Sequence, residues 1–261
     1  MEVVILPDAD AVARFVADSI EHLLSARPNP VLGLATGSSP LGTYAELVRR
    51  HRAGVITFAA ATAFLLDEYI GLPVGHPESY RAFIETHFAG QVDIDPRNVH
   101  VPGGTAVGAA LDKACAQYEA DIRAAGGVDL QLLGIGADGH LGFNEPTSSL
   151  ASRTRIKTLT DRTRHDNARF FDGLDDVPRH VVTQGIGTIL DARHLVLIAT
   201  GASKAAPVAL AVEGPLTSMC PASAIQLHPT ATVVIDEAAA SQLTLADYFR
   251  DTFAHKPRWQ S

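Results

Sequence analysis

The sequence predicts an α/β protein, a single-domain open, mainly parallel sheet flanked by helices. Three observations carry that prediction. Short apolar runs of strand length alternate with helix-length segments from end to end. Several of those runs are apolar throughout, as expected of strands buried on both faces. The runs at 31–35, 62–66, 130–135 and 194–199 each stop in a polar, Gly-rich or acidic loop. In open α/β sheets the C-terminal ends of strands are where ligands bind.

The bulk numbers agree. A chain of 261 residues with 46% apolar and 19% charged residues can bury a large core. The formal charge of -8 is unsuited to a nucleic-acid backbone. Two cysteines, Cys115 and Cys220, are too few for a disulfide framework and fit a reducing cytoplasm. The N-terminus lacks the basic start of a signal peptide. No apolar run reaches the roughly 18 residues of a membrane span.

In order, residues 3–6 read as the first strand. Asp8 or Asp10 can cap the helix after it, whose buried stripe is Val12, Val16, Ile20 and Leu23. Pro28 and Pro30 end that helix. Residues 31–35 form a second strand, followed by Thr36-Gly37-Ser38-Ser39-Pro40 and a helix over 41–51. Ser39 suits an N-cap and Pro40 the first helical position. The same loop can serve as an anion site, with backbone N–H groups and hydroxyls converging at a helix start. It is neither a Walker A loop nor a dinucleotide fingerprint. A third strand, 62–66, stops at Asp67-Glu68-Tyr69, where a carboxylate is either a cap or a group in the crevice. Ser79 is placed to cap the next helix. Thr105 is read as opening a helix to about 125, with Leu111, Cys115, Tyr118 and Ile122 on one face.

The central run, 130–135, breaks into Gly134-Ile135-Gly136-Ala137-Asp138-Gly139-His140-Leu141-Gly142-Phe143-Asn144-Glu145-Pro146. The glycines permit an irregular backbone on which Asp138, His140 and Glu145 can converge. A histidine among carboxylates is an acid/base unit in one reading and a solvated turn in the other. Residues 153–158 alternate, putting Arg153, Arg155 and Lys157 on one face of a strand. They open a basic island that continues through Arg162, Arg164 and Arg169, suited either to solvent or to phosphate esters. The strand at 194–199 ends in Thr200-Gly201-Ala202-Ser203-Lys204. Lys204 at a helix N-terminus opposes the dipole unless an anion sits there. A last strand, 232–235, and a helix, 243–253, complete the chain, with a frayed tail from Lys256.

Five segments together resemble the glucosamine-6-phosphate deaminase family. They are Leu66-Asp67-Glu68-Tyr69, His76-Pro77-Glu78-Ser79-Tyr80, Asp138-Gly139-His140, Phe143-Asn144-Glu145-Pro146 and the run from Ser149 to Leu159. The likeness is spread in order over nearly the whole chain. It implies a modified Rossmann-like fold of the sugar-phosphate isomerase superfamily. The implied reaction turns glucosamine 6-phosphate and water into fructose 6-phosphate and ammonia, with no cofactor and no metal. His140, held by Asp138 and Glu145, would open the sugar ring. Asp67 would be the base that moves the C2 proton to C1. Thr36, Gly37, Ser38, Ser39, Arg169 and Lys204 would bind the phosphate, and residues around 160–180 would form a mobile lid. In the allosteric members, N-acetylglucosamine 6-phosphate binds between subunits of a hexamer. The matching positions are Ser148, Arg155, Lys157 and Thr158, with Tyr248 taking part in the response.

The implied partners are small sugar phosphates and further copies of the chain, with no nucleic acid and no membrane. Two departures stand out: Ala137 where many members carry Asn, and Ser38 where some have a second Gly. The rivals are a galactosamine-6-phosphate enzyme, a 6-phosphogluconolactonase, and a non-catalytic sugar-phosphate sensor. The sensor would be expected to carry a helix-turn-helix and to lose an acid/base group, and neither expectation fits this sequence.

Overall fold

Two sheets organise the chain, and the site forms where one gives way to the other. The computed structural model describes residues 1–168, 171 and 173–257, with the side chains of 162, 166 and 167 outside that description. The main sheet takes β1 (Glu2–Leu6), β2 (Val31–Leu34), β3 (Thr62–Leu65), β5 (Val99–His100), β6 (Leu130–Leu133), β9 (Leu195–Ala199) and β10 (Ala231–Asp236). Its order is β1-β10-β9-β6-β2-β3-β5, and every neighbouring pair is parallel. The fully apolar runs are buried as expected of such strands: β9 reads Leu-Val-Leu-Ile-Ala with all five residues buried.

The order has a direction. After β2 the chain builds outward through β3 and β5. After β6 it builds the other way, through β9 and β10. The reversal falls between β2 and β6. Loops leaving those two strands therefore diverge and leave a crevice at their C-terminal ends.

Helices cover the sheet: α1 (Ala9–Ala26), α2 (Leu41–Arg52), α3 (Tyr80–His87), α4 (Ala110–Ala124), α5 (Asp161–Asn167), α6 (Ile186–Leu190), α7 (Ala205–Val212) and α8 (Ala246–Ala254). Asp8 caps α1 by accepting from the Ala11 N–H, and Ser79 caps α3 by accepting from Ala82. Two boundaries and one cap differ from the sequence reading. The fourth helix starts at Ala110 and not at 105, because Gly103, Gly104 and Gly108 take positive φ and hold 103–108 in turns. Its predicted stripe of Leu111, Cys115, Tyr118 and Ile122 is buried. The terminal helix begins at Ala246. Most informative is α2: it begins at Leu41 with no side chain capping it, so Ser39 is not its cap.

The second sheet is antiparallel and was not foreseen. It runs β4-β8-β7, from β4 (Asp67–Tyr69), β8 (His180–Thr183) and β7 (Arg155–Thr158). Only Leu66 separates β3 from β4. Its N–H still donates to Leu34 in the main sheet, while its carbonyl accepts from Gln184 at the end of β8. The chain thus changes sheets at one residue, and Asp67 is the first residue on the new sheet. Its β7 was legible from the alternation over 153–158, but β4 and β8, of three and four residues, are too short to show a period, so the pairing of the three was not. Among the described residues no helix is long and apolar enough to cross a membrane.

Candidate active site

Four neighbouring strands of the main sheet, β9, β6, β2 and β3, deliver polar loops to one edge. The loop after β2 carries Thr36, Gly37, Ser38 and Ser39. Gly37 has a φ of +89°, and Gly37 and Ser38 are exposed. Because α2 has no side-chain cap, the Ser38 and Ser39 hydroxyls make no hydrogen bond among the described residues. They and the open helix start remain available to an anion. The capped-helix reading of this loop fails on that observation.

Two features bring Lys204 to the same place. Ser39 stands against Gly134, with its Oγ 3.5 Å from where a Cβ on that glycine would lie. On the next residue, the Ile135 carbonyl accepts a 2.7 Å hydrogen bond from the Lys204 Nζ. Lys204 and the residue 36–39 loop therefore both lie against the segment leaving β6. Burial pulls the Lys204 ammonium below the ordinary lysine range, the expected response of a cation shielded from water with no carboxylate beside it. Arg169 lies outside the described residues.

The loop after β6 holds His140 by two contacts. Its Nδ1 lies 2.7 Å from an Asp138 carboxylate oxygen, and its backbone N–H donates to the same atom. The carboxylate can only accept here, so Nδ1 carries the proton and Nε2 is the free nitrogen. The ring lies over Gly136, where a Cβ would come within 2.1–2.4 Å of three ring atoms. Only glycine admits the imidazole in that position. Glu145 is placed differently from the expectation. It does not reach His140 among the described contacts, and instead accepts from the Thr163 hydroxyl of α5 at 2.5 Å. The reason is local: Leu141 and Asn144 form a closed turn between the two residues, which carries Glu145 toward α5.

Asp67 and Glu68 are adjacent and buried, at 5% and 7% exposure, but they do different things. Successive strand residues face opposite sides. Glu68 accepts from the backbone N–H groups of Tyr69, Tyr80 and Arg81, closing the start of α3. It is the cap that the sequence allowed for this pair. Asp67 has no hydrogen bond or ion pair among the described residues. Burial, helped by the Glu68 charge, pushes its carboxyl up to about 8. One carboxylate oxygen faces Gly142, whose φ is +55° and where a Cβ would lie 3.0 Å from both Asp67 Oδ2 and Thr183 Oγ1. A base with a raised pKa thus sits two residues in space from the histidine loop.

The expected effector residues are scattered over two surroundings. Arg155, Thr183 and Asp67 are cross-strand partners in one row of the small sheet, and Lys157 pairs with Val181 two residues along. Burial holds the Arg155 guanidinium below its ordinary range. Ser148 is 5% exposed and its hydroxyl has no partner. Thr158 is exposed, and Tyr248 is 60% exposed on α8, which packs against β1. The basic island is smaller than the sequence suggests. Arg153 precedes β7 and is taken up by Glu119 and by Asp191 at 2.7 Å, while Arg164 is buried and donates to the carbonyls of Leu174 and Val177. Sequence reasoning missed Thr163, Thr183 and Gln184, whose roles arise only from cross-strand and loop contacts, and it singled out Gly142 for its backbone freedom without its contact with Asp67. Among the described residues no cluster of His, Cys, Asp and Glu has the form of a metal site.

Comparison with known proteins agrees with this geometry. The family model described as glucosamine-6-phosphate isomerases/6-phosphogluconolactonase matches residues 8–235. Glucosamine-6-phosphate deaminase of Pseudarthrobacter chlorophenolicus is 60% identical over 260 residues, covering 100% of this chain and 99% of that protein. The deaminase of Streptomyces coelicolor is 59% identical over 261 residues with the same coverage. Among solved structures, a monomeric glucosamine-6-phosphate deaminase is 40% identical with a TM-score of 0.88, covering 93% of this chain and 100% of its own. A 6-phosphogluconolactonase from Thermotoga maritima, at 21% identity and a TM-score of 0.70, shares the fold over 90% of this chain and 98% of its own. With a family model over residues 8–235 and relatives about 60% identical over nearly their whole length, this chain belongs to the glucosamine-6-phosphate deaminase family.

Proposed function

We propose that the chain converts glucosamine 6-phosphate and water to fructose 6-phosphate and ammonia, as a step in the breakdown of amino sugars derived from N-acetylglucosamine. The observation that carries the reading is Asp67: a buried carboxylate, unpaired among the described residues, beside the histidine loop. Residues 36–39 and Lys204 take the phosphate, together with Arg169. The free Nε2 of His140 faces the ring oxygens and moves the proton between O1 and O5, while Asp138 holds Nδ1 and balances the imidazolium. Asp67 removes the C2 proton, giving an enolamine, and returns it at C1. The imine left at C2 adds water and expels ammonia.

The environment of Asp67 supports this order. A carboxylate starved of water is a stronger base than one in solution. The substrate's C2 ammonium brings a positive charge beside it, which favours the ionised form at the moment it is needed. Glu145, bonded to Thr163, links the loop after β6 to α5. Residues around 160–180 act as the lid, and substrate entry reorganises that contact. Ammonia release from glucosamine 6-phosphate, compared with galactosamine 6-phosphate and N-acetylglucosamine 6-phosphate, tests the reading. Absence of ammonia from the first overturns it.

Activation by N-acetylglucosamine 6-phosphate is the finer part of the proposal. It is supported by the unpartnered Ser148 hydroxyl and by the Arg155–Thr183–Asp67 row, which puts an effector candidate two strands from the base. Substrate saturation with and without that compound decides it, and identical hyperbolic curves count against it. The solved neighbour described as monomeric does not support the hexamer that the resemblance implies. The mass in solution settles the assembly, and fractionation the cytoplasmic location.

A further inference from the structure

Gln184 is 1% exposed and directly follows β8. Its backbone N–H donates to the Leu66 carbonyl at 2.7 Å, and its side-chain Nε2 donates to the Leu65 carbonyl at 3.0 Å. It therefore holds both residues through which the chain leaves the main sheet, immediately before Asp67. Its own carbonyl accepts from the Asn144 side-chain amide at 2.7 Å. The same amide donates to Leu141 at 2.9 Å and closes the turn that presses Gly142 on Asp67. One residue thus ties the segment carrying the base to the turn that follows the histidine. Tyr118 adds a second donor to Leu65, at 2.7 Å through its hydroxyl.

We propose that Gln184 is a positioning residue for proton transfer at C2, locking Asp67 and the 141–144 turn into one register. The inference rests on the deaminase reading above. A glutamine this deeply buried needs partners for its amide, and a core position alone would be filled better by leucine or methionine. Its side-chain amide holds the last residue of β3, while its backbone holds Leu66 and the Asn144 amide, so its bonds converge on the segment entering Asp67 and on the 141–144 turn. Loosening them lets the Asp67 carboxylate drift from the reacting carbon and lets water reach it. Drift lowers the rate of the chemical step, because even about 1 Å of misplacement is costly in proton transfer. Water returns the carboxyl toward its ordinary range and weakens it as a base.

Gln184→Met keeps the volume and removes the amide donor. Measured on the full chain, kcat for ammonia release should fall about tenfold with KM within about twofold. The acidic limb of kcat/KM should move about one pH unit lower. A merely structural role would lower the melting temperature and leave that limb in place. Tyr118→Phe removes the second donor to Leu65, together with the hydroxyl's weaker contact to the His100 carbonyl and its hydrogen bond with the Gln184 side chain, and should move both quantities the same way by about a third as much on a logarithmic scale. A folded Gln184→Met with wild-type kcat and an unmoved limb overturns the proposal. If that variant fails to fold, a wild-type profile for Tyr118→Phe overturns it instead. Absence of ammonia release by the unmodified chain would sink the deaminase reading itself, before any variant is compared.

Discussion

The two proton-moving centres proposed for this site live in opposite surroundings. Asp67 is 5% exposed, has no hydrogen bond or ion pair among the described residues, and is pushed up to about 8 by burial. Asp138 and His140 form a 2.7 Å pair with side-chain exposures of 44% and 36%. The difference suits the bonds each would break. Removing a proton from carbon demands a base that water does not weaken. Moving a proton between oxygens is easier, and asks for a histidine of defined tautomer near water. The sheets divide the work in the same way. The parallel sheet, whose loops open into the crevice, provides the pair and the anion loop. The short antiparallel sheet, whose Asp67 packs against Gly142 of the histidine loop, carries the proposed base.

The largest expected effect breaks the comparison at Asp67. Asp67→Asn should lower kcat by roughly ten-thousandfold and abolish C2 proton exchange, with sugar-phosphate binding kept. Exchange at the wild-type rate would remove Asp67 from the chemistry. His140→Gln should cost about a hundredfold from the cyclic sugar and far less from the open-chain fraction. Equal losses from both forms would deny the division of labour.

The pH behaviour sharpens the same contrast. The base must be ionised, and its folded value is about 8. So kcat/KM should rise with pH up to about 8 and level off above it. Stability runs the other way. The unfolded chain loses this proton near the ordinary aspartate value of 3.8, and the folded chain holds it to about 8. Below 3.8 both states hold the proton and the group costs nothing. Between the two values the cost of burial grows with pH. Asp67→Asn should therefore stabilise the fold by about 4 kcal/mol near pH 7 and by nothing near pH 3.5, as read by denaturant midpoints. A buried carboxyl that no donor offsets shows this signature.

The smallest effect concerns the neighbour. Glu68→Gln leaves an acceptor for part of the N–H cluster of α3 and loses the charge. It should destabilise by about 1 kcal/mol and change kcat less than threefold. A loss like that of Asp67→Asn would mean that the two carboxylates had been assigned the wrong way round.

Much of this was legible before the fold was known. The apolar runs announce the parallel strands, because burial on both faces leaves a continuous apolar signature. The loops after 34, 65, 133 and 199 announce the crevice edge, and Asp138 beside His140 is a pair that sequence neighbours can make unaided. Other parts were ambiguous for a physical reason. Ser39 reads as a cap because Ser before Pro is good capping chemistry, and only the geometry of α2 shows the hydroxyl unused. Glu145 reads as a partner of His140 because it is close in sequence, yet the Leu141–Asn144 turn sends it to Thr163.

Sequence by itself determined the α/β class, the alternation of the long buried strands with helices, and the residue types gathered at the crevice. These depend on local pattern, which periodicity and turn chemistry expose. The family resemblance named Asp67 for the base, and tertiary structure supplied the physical contrast: which of two adjacent acids is left buried with no partner for its carboxyl among the described residues. Asp67 and Glu68 have the same charge and the same neighbours along the chain. The change of sheet at Leu66 turns one toward the backbone N–H groups of α3 and the other into a dry pocket. No local pattern encodes that choice, because it depends on β8, which arrives more than a hundred residues later to hold Leu66 in place.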